Sequence, residues 1–214
     1  MTTRLKICGI TNLADARYCA AAGADYLGFI QHEGSPRYVD PATAREIIGW
    51  VYGARAVGVF VNADADTINR TAEATGFALV QLHGEEPPEV CAAVERPVIK
   101  ALHVGPATTV NDLRRRMERY APYVDHFLLD TRSPRARGGT GERFDWDIAA
   151  PLARDFSVFL AGGIDASNVS EAVTRVAPFA IDLASGVEAE PGRKDFDKLA
   201  AFFDVWDTLA RSTS

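Results

Sequence analysis

Residues 5–30 read LKICGITNLADARYCAAAGADYLGFI and contain the unit from which the fold is predicted. A short apolar run at residues 5–8 is followed by an alanine-rich stretch and then by a second apolar run at residues 26–30. Two runs of strand length separated by a helical stretch are typical of parallel strands joined by a helical crossover. The segment therefore predicts a β-strand, an α-helix and a second, parallel β-strand.

The same alternation of apolar runs and alanine-rich stretches continues through the 214-residue chain. Eight strands are predicted, at residues 5–8, 26–30, 56–61, 79–83, 98–102, 126–130, 158–161 and 180–183. Eight β/α units with no segment left over are typical of the closed eight-stranded barrel. We therefore predict an α/β fold, a single (β/α)8 TIM barrel with parallel strands, in one domain over residues 1–214.

The helical patterns begin beside residues that favour helix starts. They begin near Asn12, Pro41, Asp64, Glu86, Thr108, Trp146, Ala166 and Asp195. Asp40 stands directly before a proline, and Asp64 and Asp165 carry the short carboxylate that caps unpaired backbone amides. These residues support the helices independently of hydrophobic periodicity.

The composition is that of an ordinary globular protein, with 47% hydrophobic and 24% charged residues. The formal net charge of −6 gives no general attraction for nucleic acid or for an anionic membrane. Three cysteines are too few for a disulfide framework, and their spacing fits no C-x-x-C metal motif. The N-terminus has no apolar run of secretory length, and no stretch reaches the ~18 apolar residues of a membrane span. We expect a cytoplasmic protein that binds neither nucleic acid nor membrane.

Two reactive side chains stand at strand ends, where TIM barrels place their active sites. Cys8 ends the first predicted strand and Asp130 ends the sixth, so they lie on different sides of the barrel mouth. A base and an acid placed in this way could act across one small substrate. Each residue also has a plainer interpretation: Cys8 as an inert buried hydrophobe, and Asp130 as a helix cap or an ion-pair partner of Arg132 or Arg135.

Three glycine-rich pieces follow strands six, seven and eight, at residues 138–141, 161–163 and 184–186. Glycine lets backbone amides approach an oxyanion closely, and phosphate sites in this fold use the loops after strands seven and eight. The alternative for any single glycine is that it only turns the chain. Together the pieces predict a phosphate site, with candidate residues Gly139, Thr140, Gly141, Gly162, Gly163, Ser185 and Gly186.

Other polar residues of the predicted mouth are less specific. Pro36 stiffens the second loop and could aim Arg37 at a carboxylate or phosphate, although a solvated surface arginine is the commoner outcome. His83 and His103 are interpreted as polar residues of the mouth or as satisfied core groups. No acidic or histidine partner stands at ligand spacing from them, so no metal site is predicted. Cys19 and Cys91 fall inside helical patterns and are predicted to pack.

Several motifs together resemble one family, the phosphoribosylanthranilate isomerases of tryptophan biosynthesis. They run in order along nearly the whole chain: KICGIT at 6–11, SPRYV at 35–39, QLHG at 81–84, LD at 129–130, GGTG at 138–141, FDW at 144–146, LAGG at 160–163 and SGVE at 185–188. One departure is visible, because Leu183-Ala184 stands where the family commonly shows Val-Ser. It removes a hydroxyl at position 184 and leaves the backbone amides that follow.

The resemblance implies an Amadori rearrangement that converts N-(5-phosphoribosyl)anthranilate, an aminoaldose, into an aminoketose without a cofactor. It implies that Asp130 protonates the ring oxygen and that Cys8, as thiolate, removes the proton from C2. It assigns Arg37 to the anthranilate side, His83 to substrate binding, and Asp182, more weakly, to the ribose hydroxyls. The glycine pieces would hold the phosphate of this small-molecule substrate, and a monomer is expected, with a homodimer as the alternative.

Other functions remain open at this point. A related barrel that isomerises or epimerises another sugar phosphate, including a broad-specificity isomerase serving histidine and tryptophan synthesis, would have similar phosphate loops. Those broad-specificity enzymes resemble one another in an acidic residue at the end of the first strand, where this chain has Cys8. A non-catalytic barrel would bind a phosphorylated metabolite without turnover and would need neither Cys8 nor Asp130. A flavin-dependent oxidoreductase is disfavoured because no insertion is available to cover a flavin ring.

Overall fold

Eight parallel strands close a barrel in chain order in the computed structural model, which describes residues 3–131 and 145–212. The strands are β1 Arg4–Cys8, β2 Tyr26–Ile30, β3 Arg55–Phe60, β4 Leu79–Leu82, β5 Val98–Val104, β6 His126–Thr131, β7 Val158–Leu160 and β8 Ala180–Leu183. Closure is made by β1, which pairs with both β2 and β8. The predicted TIM barrel is confirmed, and every predicted strand is found.

Helices cover the outside of the barrel. They are α1 Leu13–Ala21, α2 Pro41–Gly49, α3 Ala65–Thr75, α4 Pro88–Ala93, α5 Val110–Tyr120, α6 Ala150–Ala153, α7 Val169–Val176 and α8 Phe196–Ser212. Short 3-10 turns lie at Ala121–Tyr123, Trp146–Ile148 and Ser185–Val187. No helix within the described ranges is long and apolar enough to cross a bilayer.

Most of the predicted caps are observed. Asn12, Asp40 and Asp64 each accept hydrogen bonds from backbone amides in the first turn of α1, α2 and α3. Asp165 does accept from a backbone amide, that of Ser167 at 2.8 Å, but in the turn before α7, which begins at Val169 with Asn168 at its N-cap position. Asn168 ties this loop down by accepting from the Asp165 amide at 3.1 Å and donating to the Gly163 carbonyl at 2.9 Å.

The core is divided by the strands into two layers. The larger layer lies between strands and helices and includes Leu5 and Ile7 of β1, and both Cys19 and Cys91, as predicted. The smaller layer fills the barrel interior and consists of Tyr26, Val57, Leu79, Ile99, Ala101, Leu128, Phe159, Ala161 and Ala180. Because strand side chains alternate, residues two positions after these apolar ones point into the same barrel interior, nearer its C-terminal mouth.

A small antiparallel hairpin, not predicted from the sequence, follows β8. It consists of β9 Glu188–Glu190 and β10 Arg193–Lys194. Gly192 turns the chain with a φ of +86°, a left-handed conformation that favours glycine. The hairpin places the side chains of Glu188 and Lys194, both buried, beside the end of β1.

Candidate active site

Strand alternation assembles the polar residues of the mouth. Asp130 follows the interior Leu128 on β6, Asp182 follows Ala180 on β8, and His103 follows Ala101 on β5. On β1, Leu5 and Ile7 face the helices. The alternating residues Lys6 and Cys8 therefore face the barrel interior. The apolar floor and the polar mouth of the barrel are therefore products of the same two-residue period.

Cys8 lies against a buried ion pair. The Lys6 ammonium donates to Asp182 Oδ1 at 2.8 Å, and both side chains are almost entirely excluded from solvent. Gly28 of β2 makes the space, because a Cβ there would lie 2.8 Å from Cys8 Sγ and 3.1 Å from Lys6 Nζ. The thiol and the ammonium are thus held together on the floor of the mouth.

The protonation states of this group follow from burial and charge. Burial raises the pKa of the Cys8 thiol, and the nearby Lys6 ammonium offsets this only in part. Burial works against the Lys6 ammonium too, but the negative charge of Asp182 and its hydrogen bond to Lys6 outweigh this and raise the pKa of Lys6. In the ligand-free protein the thiol is therefore protonated and the amine charged.

No role was predicted for Lys6, although it belongs to the KICGIT motif at residues 6–11. The available signal was a lysine inside an otherwise apolar strand, two positions before the candidate base. That spacing places both side chains on one face of a strand.

Asp130 forms a second group with two histidines. His83 Nε2 lies 3.5 Å from Asp130 Oδ2, and the rings of His83 and His103 meet edge to face with centroids 5.2 Å apart. Gln81 Nε2 lies 2.7 Å from His83 Nδ1, so an N–H donated there leaves Nε2 as the protonated nitrogen that faces Asp130. No acidic or histidine partner at ligand spacing was expected for His83 and His103. This expectation is wrong, because the folded barrel brings together residues that are far apart in sequence.

These neighbours set the charge of the group. Burial alone would raise the pKa of the Asp130 carboxyl, but the hydrogen bond and the electrostatic attraction of the neighbouring His83 lower it. Burial lowers the pKa of His103, and the neighbouring His83 adds to this effect. Asp130 is therefore ionised at neutral pH in the ligand-free protein and His103 is neutral. The alternative partners Arg132 and Arg135 lie outside the described residues.

Arg37 is not a solvated surface residue. Its Nε and Nη2 donate to the Glu188 carboxylate at 2.6–3.1 Å, and Glu188 also accepts from Lys194 Nζ at 3.1 Å. Lys194 Nζ donates in addition to the Cys8 carbonyl at 2.6 Å, which ties the hairpin to β1. Gly9 has a φ of +79°, and a Cβ there would lie 2.9 Å from Arg37 Cδ. Glu188 and Lys194 were missed because only the folded hairpin brings them to the second loop.

The loops after β7 and β8 expose backbone amides. Gly162 and Gly163 have φ values of +86° and +68°, and a Cβ at Gly186 would collide with the Ile164 carbonyl. Within the described part of the chain, the amides of Gly163, Ser185 and Gly186 donate to no protein acceptor. These half-exposed amides are available to an anion. The remaining predicted phosphate residues, Gly139, Thr140 and Gly141, lie outside the described residues.

Comparison with known proteins gives the family. Residues 5–205 match the family described as N-(5'phosphoribosyl)anthranilate (PRA) isomerase. The N-(5'-phosphoribosyl)anthranilate isomerase of Citrifermentans bemidjiense is 50% identical over 199 residues, which are 92% of this chain and 93% of that protein. The crystal structure of phosphoribosyl anthranilate isomerase from Thermotoga maritima is 39% identical, with a TM-score of 0.87, over 97% of this chain and 100% of that one.

A further solved structure includes a ligand. It is a phosphoribosyl anthranilate isomerase in complex with reduced 1-(o-carboxyphenylamino)-1-deoxyribulose 5-phosphate. It is 38% identical to this protein, with a TM-score of 0.84, over 97% of this chain and 100% of that one. With a family match over almost the whole chain and relatives of this similarity, the chain belongs to the N-(5'-phosphoribosyl)anthranilate isomerase family.

Proposed function

We propose that Cys8 is the general base and Asp130 the general acid in the isomerisation of N-(5'-phosphoribosyl)anthranilate, the tryptophan-biosynthesis reaction of the family to which the chain belongs. Asp130 gives its proton to the furanose ring oxygen as the C1–O bond breaks, while the anthranilate nitrogen lone pair forms an iminium. The Cys8 thiolate then removes the proton from C2, and the electrons of that C–H bond neutralise the iminium. The resulting enol tautomerises to the aminoketose. The substrate nitrogen supplies the electrons, so the proposed reaction needs no cofactor.

The ligand-free protonation states differ from the reactive ones by the position of one proton. Without ligand the thiol is protonated and Asp130 is ionised, whereas the reaction needs a thiolate and a protonated carboxyl. The two forms carry the same number of protons. Substrate anions near Asp130 favour its protonation, and the Lys6 ammonium beside Cys8 favours the thiolate once it forms. We therefore expect binding to move a proton from the base to the acid.

The substrate contacts follow from which atoms remain available. Because the Nε and Nη2 edge of Arg37 holds Glu188, the anthranilate carboxylate is assigned to the outer, Nη1 end of the guanidinium. Asp182 Oδ1 is occupied by Lys6, so Oδ2 is the atom assigned to a ribose hydroxyl. His83 lies between Asp130 and Gln81 and is assigned to the substrate ring above Asp130.

The phosphate is assigned to the amides of Gly163, Ser185 and Gly186, whose lack of protein acceptors among the described residues supports this proposal. Gly162 lets the β7 loop pass beside Thr131, where a Cβ would collide. Gly139, Thr140 and Gly141 stay predictions. These amides recognise an oxyanion without a basic side chain, which suits a chain with a net charge of −6.

The cellular compartment, the domain organisation and the oligomeric state are proposed from more general features of the chain. All three cysteines are free thiols, which suits a reducing compartment, and we propose the cytoplasm. We also propose one domain over residues 1–214, because β1 and β8 pair and so join the two ends of the barrel. The expected monomer stays a prediction, and light scattering of the purified protein would distinguish it from a homodimer.

The observation that carries the proposal is the pairing of a Lys6-assisted thiol with a histidine-bound carboxylate at one barrel mouth. The test is turnover of freshly made N-(5'-phosphoribosyl)anthranilate, followed by loss of its fluorescence. Cys8→Ala and Asp130→Asn should each lose about 10²- to 10⁴-fold in turnover while circular dichroism is unchanged. Cys19→Ala, at a buried thiol of α1, is the matched control and should retain turnover. A folded Cys8 or Asp130 variant with the parent's turnover would remove that residue from the mechanism.

A further inference from the structure

His83, His103 and Asp130 form a cluster with the donor set of a transition-metal site. One ligand atom from each residue lies within 4.8 Å of the other two. The side chains of His83 and Asp130 are 25% and 28% exposed, so the cluster can be reached from the barrel mouth. The reaction assigned above uses no metal, and His103 has no part in it. We propose that this cluster is a binding site for zinc, and that the bound ion inhibits the enzyme reversibly.

The distances fit zinc after a small adjustment. Ligand bonds of ~2.0–2.1 Å in tetrahedral geometry separate two ligand atoms by roughly 3.4 Å. His83 Nε2 and Asp130 Oδ2 are already 3.5 Å apart. No two of the three ligand atoms are more than 4.8 Å apart, so the widest separation must close by at most about 1.4 Å, which is the scale of a side-chain rotation. His103 is weakly held, because its Nε2 lies 3.4 Å from the carbonyl oxygen of His83, near the limit of a hydrogen bond.

Gln81 supplies an independent observation. Its side chain is buried, and its Oε1 has no hydrogen-bond partner among the described residues. A zinc ion on His83 Nε2 requires the ring proton on Nδ1, and Nδ1 then needs an acceptor. Rotation of the Gln81 amide by a half-turn supplies Oε1 as that acceptor, 2.7 Å away at the position now held by Nε2. After the rotation Oε1 contacts His83 and Nε2 takes the position without a partner, so the number of hydrogen bonds made by the Gln81 amide does not fall.

The donor set selects the kind of ion. Two imidazoles and one carboxylate suit zinc, cobalt, nickel and copper, whereas magnesium and calcium prefer oxygen ligands alone. Three protein ligands leave a fourth position open to water. A carboxylate that binds zinc cannot also carry the proton for the ring oxygen. The inhibition therefore rests on the proposed role of Asp130, while the binding of zinc does not.

The test separates binding from inhibition. Protein treated with a chelator and then desalted is titrated with zinc by calorimetry, and turnover is measured over the same zinc range. We expect one zinc ion per chain, loss of turnover as the site fills, and full recovery on addition of EDTA. Substrate should compete with zinc, because both contact Asp130. Cobalt(II) bound at the same site should give the intense visible absorption of a tetrahedral complex.

His103→Gln is the decisive variant, because it removes one ligand outside the catalytic machinery. Its turnover without zinc should equal that of the parent, while zinc affinity and sensitivity to inhibition should both fall at least about tenfold. His32→Gln, at an exposed histidine of the second loop, is the matched control and should change neither value. Cys8→Ser should still bind zinc, since the thiol is not a ligand.

Four results would overturn the inference or a part of it. Parent-like zinc affinity in a folded His103→Gln variant, or no stoichiometric binding to the parent, would eliminate the site. Loss of zinc binding in Cys8→Ser with normal binding in His103→Gln would assign the ion to the thiol instead. Zinc binding that depends on His103 but leaves turnover unchanged would refute the inhibition, and with it the role of Asp130 as acid.

Discussion

Replacing Lys6 with methionine should affect both stability and chemistry. Methionine keeps the length and apolar stem of the side chain and removes the ammonium that lies 2.8 Å from Asp182 Oδ1. At an effective dielectric constant of about 20, the Coulomb attraction at 2.8 Å is about 6 kcal/mol. Dehydration of both charges offsets much of this value. The cost expected for leaving one buried charge without its partner is therefore about 3–5 kcal/mol of unfolding free energy.

The double variant Lys6→Met/Asp182→Leu keeps this prediction testable if the single variant folds poorly. It removes both charges at once, and an apolar replacement of a buried ion pair is often neutral for stability. We expect urea unfolding to show the double variant recovering most of the stability lost by Lys6→Met. A single variant as stable as the parent, or a double variant no better than the single one, would refute the assignment of this pair as a buried, strongly coupled ion pair.

The chemical effect of Lys6→Met is measured on the thiol. Because burial raises the pKa of Cys8 and the Lys6 ammonium opposes that rise, loss of Lys6 should raise this pKa further and slow alkylation. The pH dependence of iodoacetamide labelling, read at the Cys8 peptide by mass spectrometry, reports the shift. Burial raises the pKa of Cys19 to about 12 and that of Cys91 to about 11, so both serve as slow internal references. An unchanged labelling profile at Cys8 would show that Lys6 does not tune the pKa of this thiol.

Three further variants test other parts of the structure. Arg37→Lys retains a charge but loses the fork on Glu188, so KM should rise; kinetics like the parent's would mean that Arg37 does not hold substrate. Gly163→Val puts a side chain at a φ of +68° beside the free amides, so KM and the inhibition constant of sulfate should rise together, and no change in either would argue against the phosphate site. Glu86→Gln removes the charge 2.6 Å from Lys100 and should cost about 3 kcal/mol of unfolding free energy at neutral pH. Although burial opposes it, Lys100 lowers the pKa of Glu86 in the folded protein. The stability from this ion pair is therefore present above the unfolded pKa of Glu86 and is lost as pH falls through the folded pKa. In urea unfolding, the stability difference between the parent and Glu86→Gln should shrink below about pH 4, and a difference that does not depend on pH would show that it does not come from the charge of Glu86.

The strands and most of the caps could be predicted because their causes are local. An apolar run of strand length and an Asp before a helix carry their signal within a few residues, as at Asp40 and Asp64. Asp165 shows the limit, because its carboxylate accepts from the Ser167 amide while the helix itself begins only at Val169. The motif resemblance identified the family, whose members are isomerases, so the non-catalytic and flavin-dependent interpretations are not retained.

The partners of the site residues could not be predicted because barrel closure joins distant segments. Lys6 and Asp182 are 176 residues apart in sequence and neighbours only because β1 pairs with β8. Arg37 and Glu188 are 151 residues apart and meet through a hairpin with no clear signal in the sequence. Positions of reactive residues were therefore predictable from strand ends, whereas the groups that tune them were not.

The pairing of the mouth's cations bears on how Asp130 acquires its proton. Among the described residues, Lys6 faces Asp182, and Arg37 and Lys194 share Glu188. The phosphate is assigned to neutral amides, so in this part of the mouth no unpaired side-chain cation cancels its charge. A bound dianion and a carboxylate then raise the pKa of a nearby acidic group. Asp130 is ionised in the ligand-free protein, and we expect the charge of the bound substrate to convert it to the acid that the proposed mechanism requires.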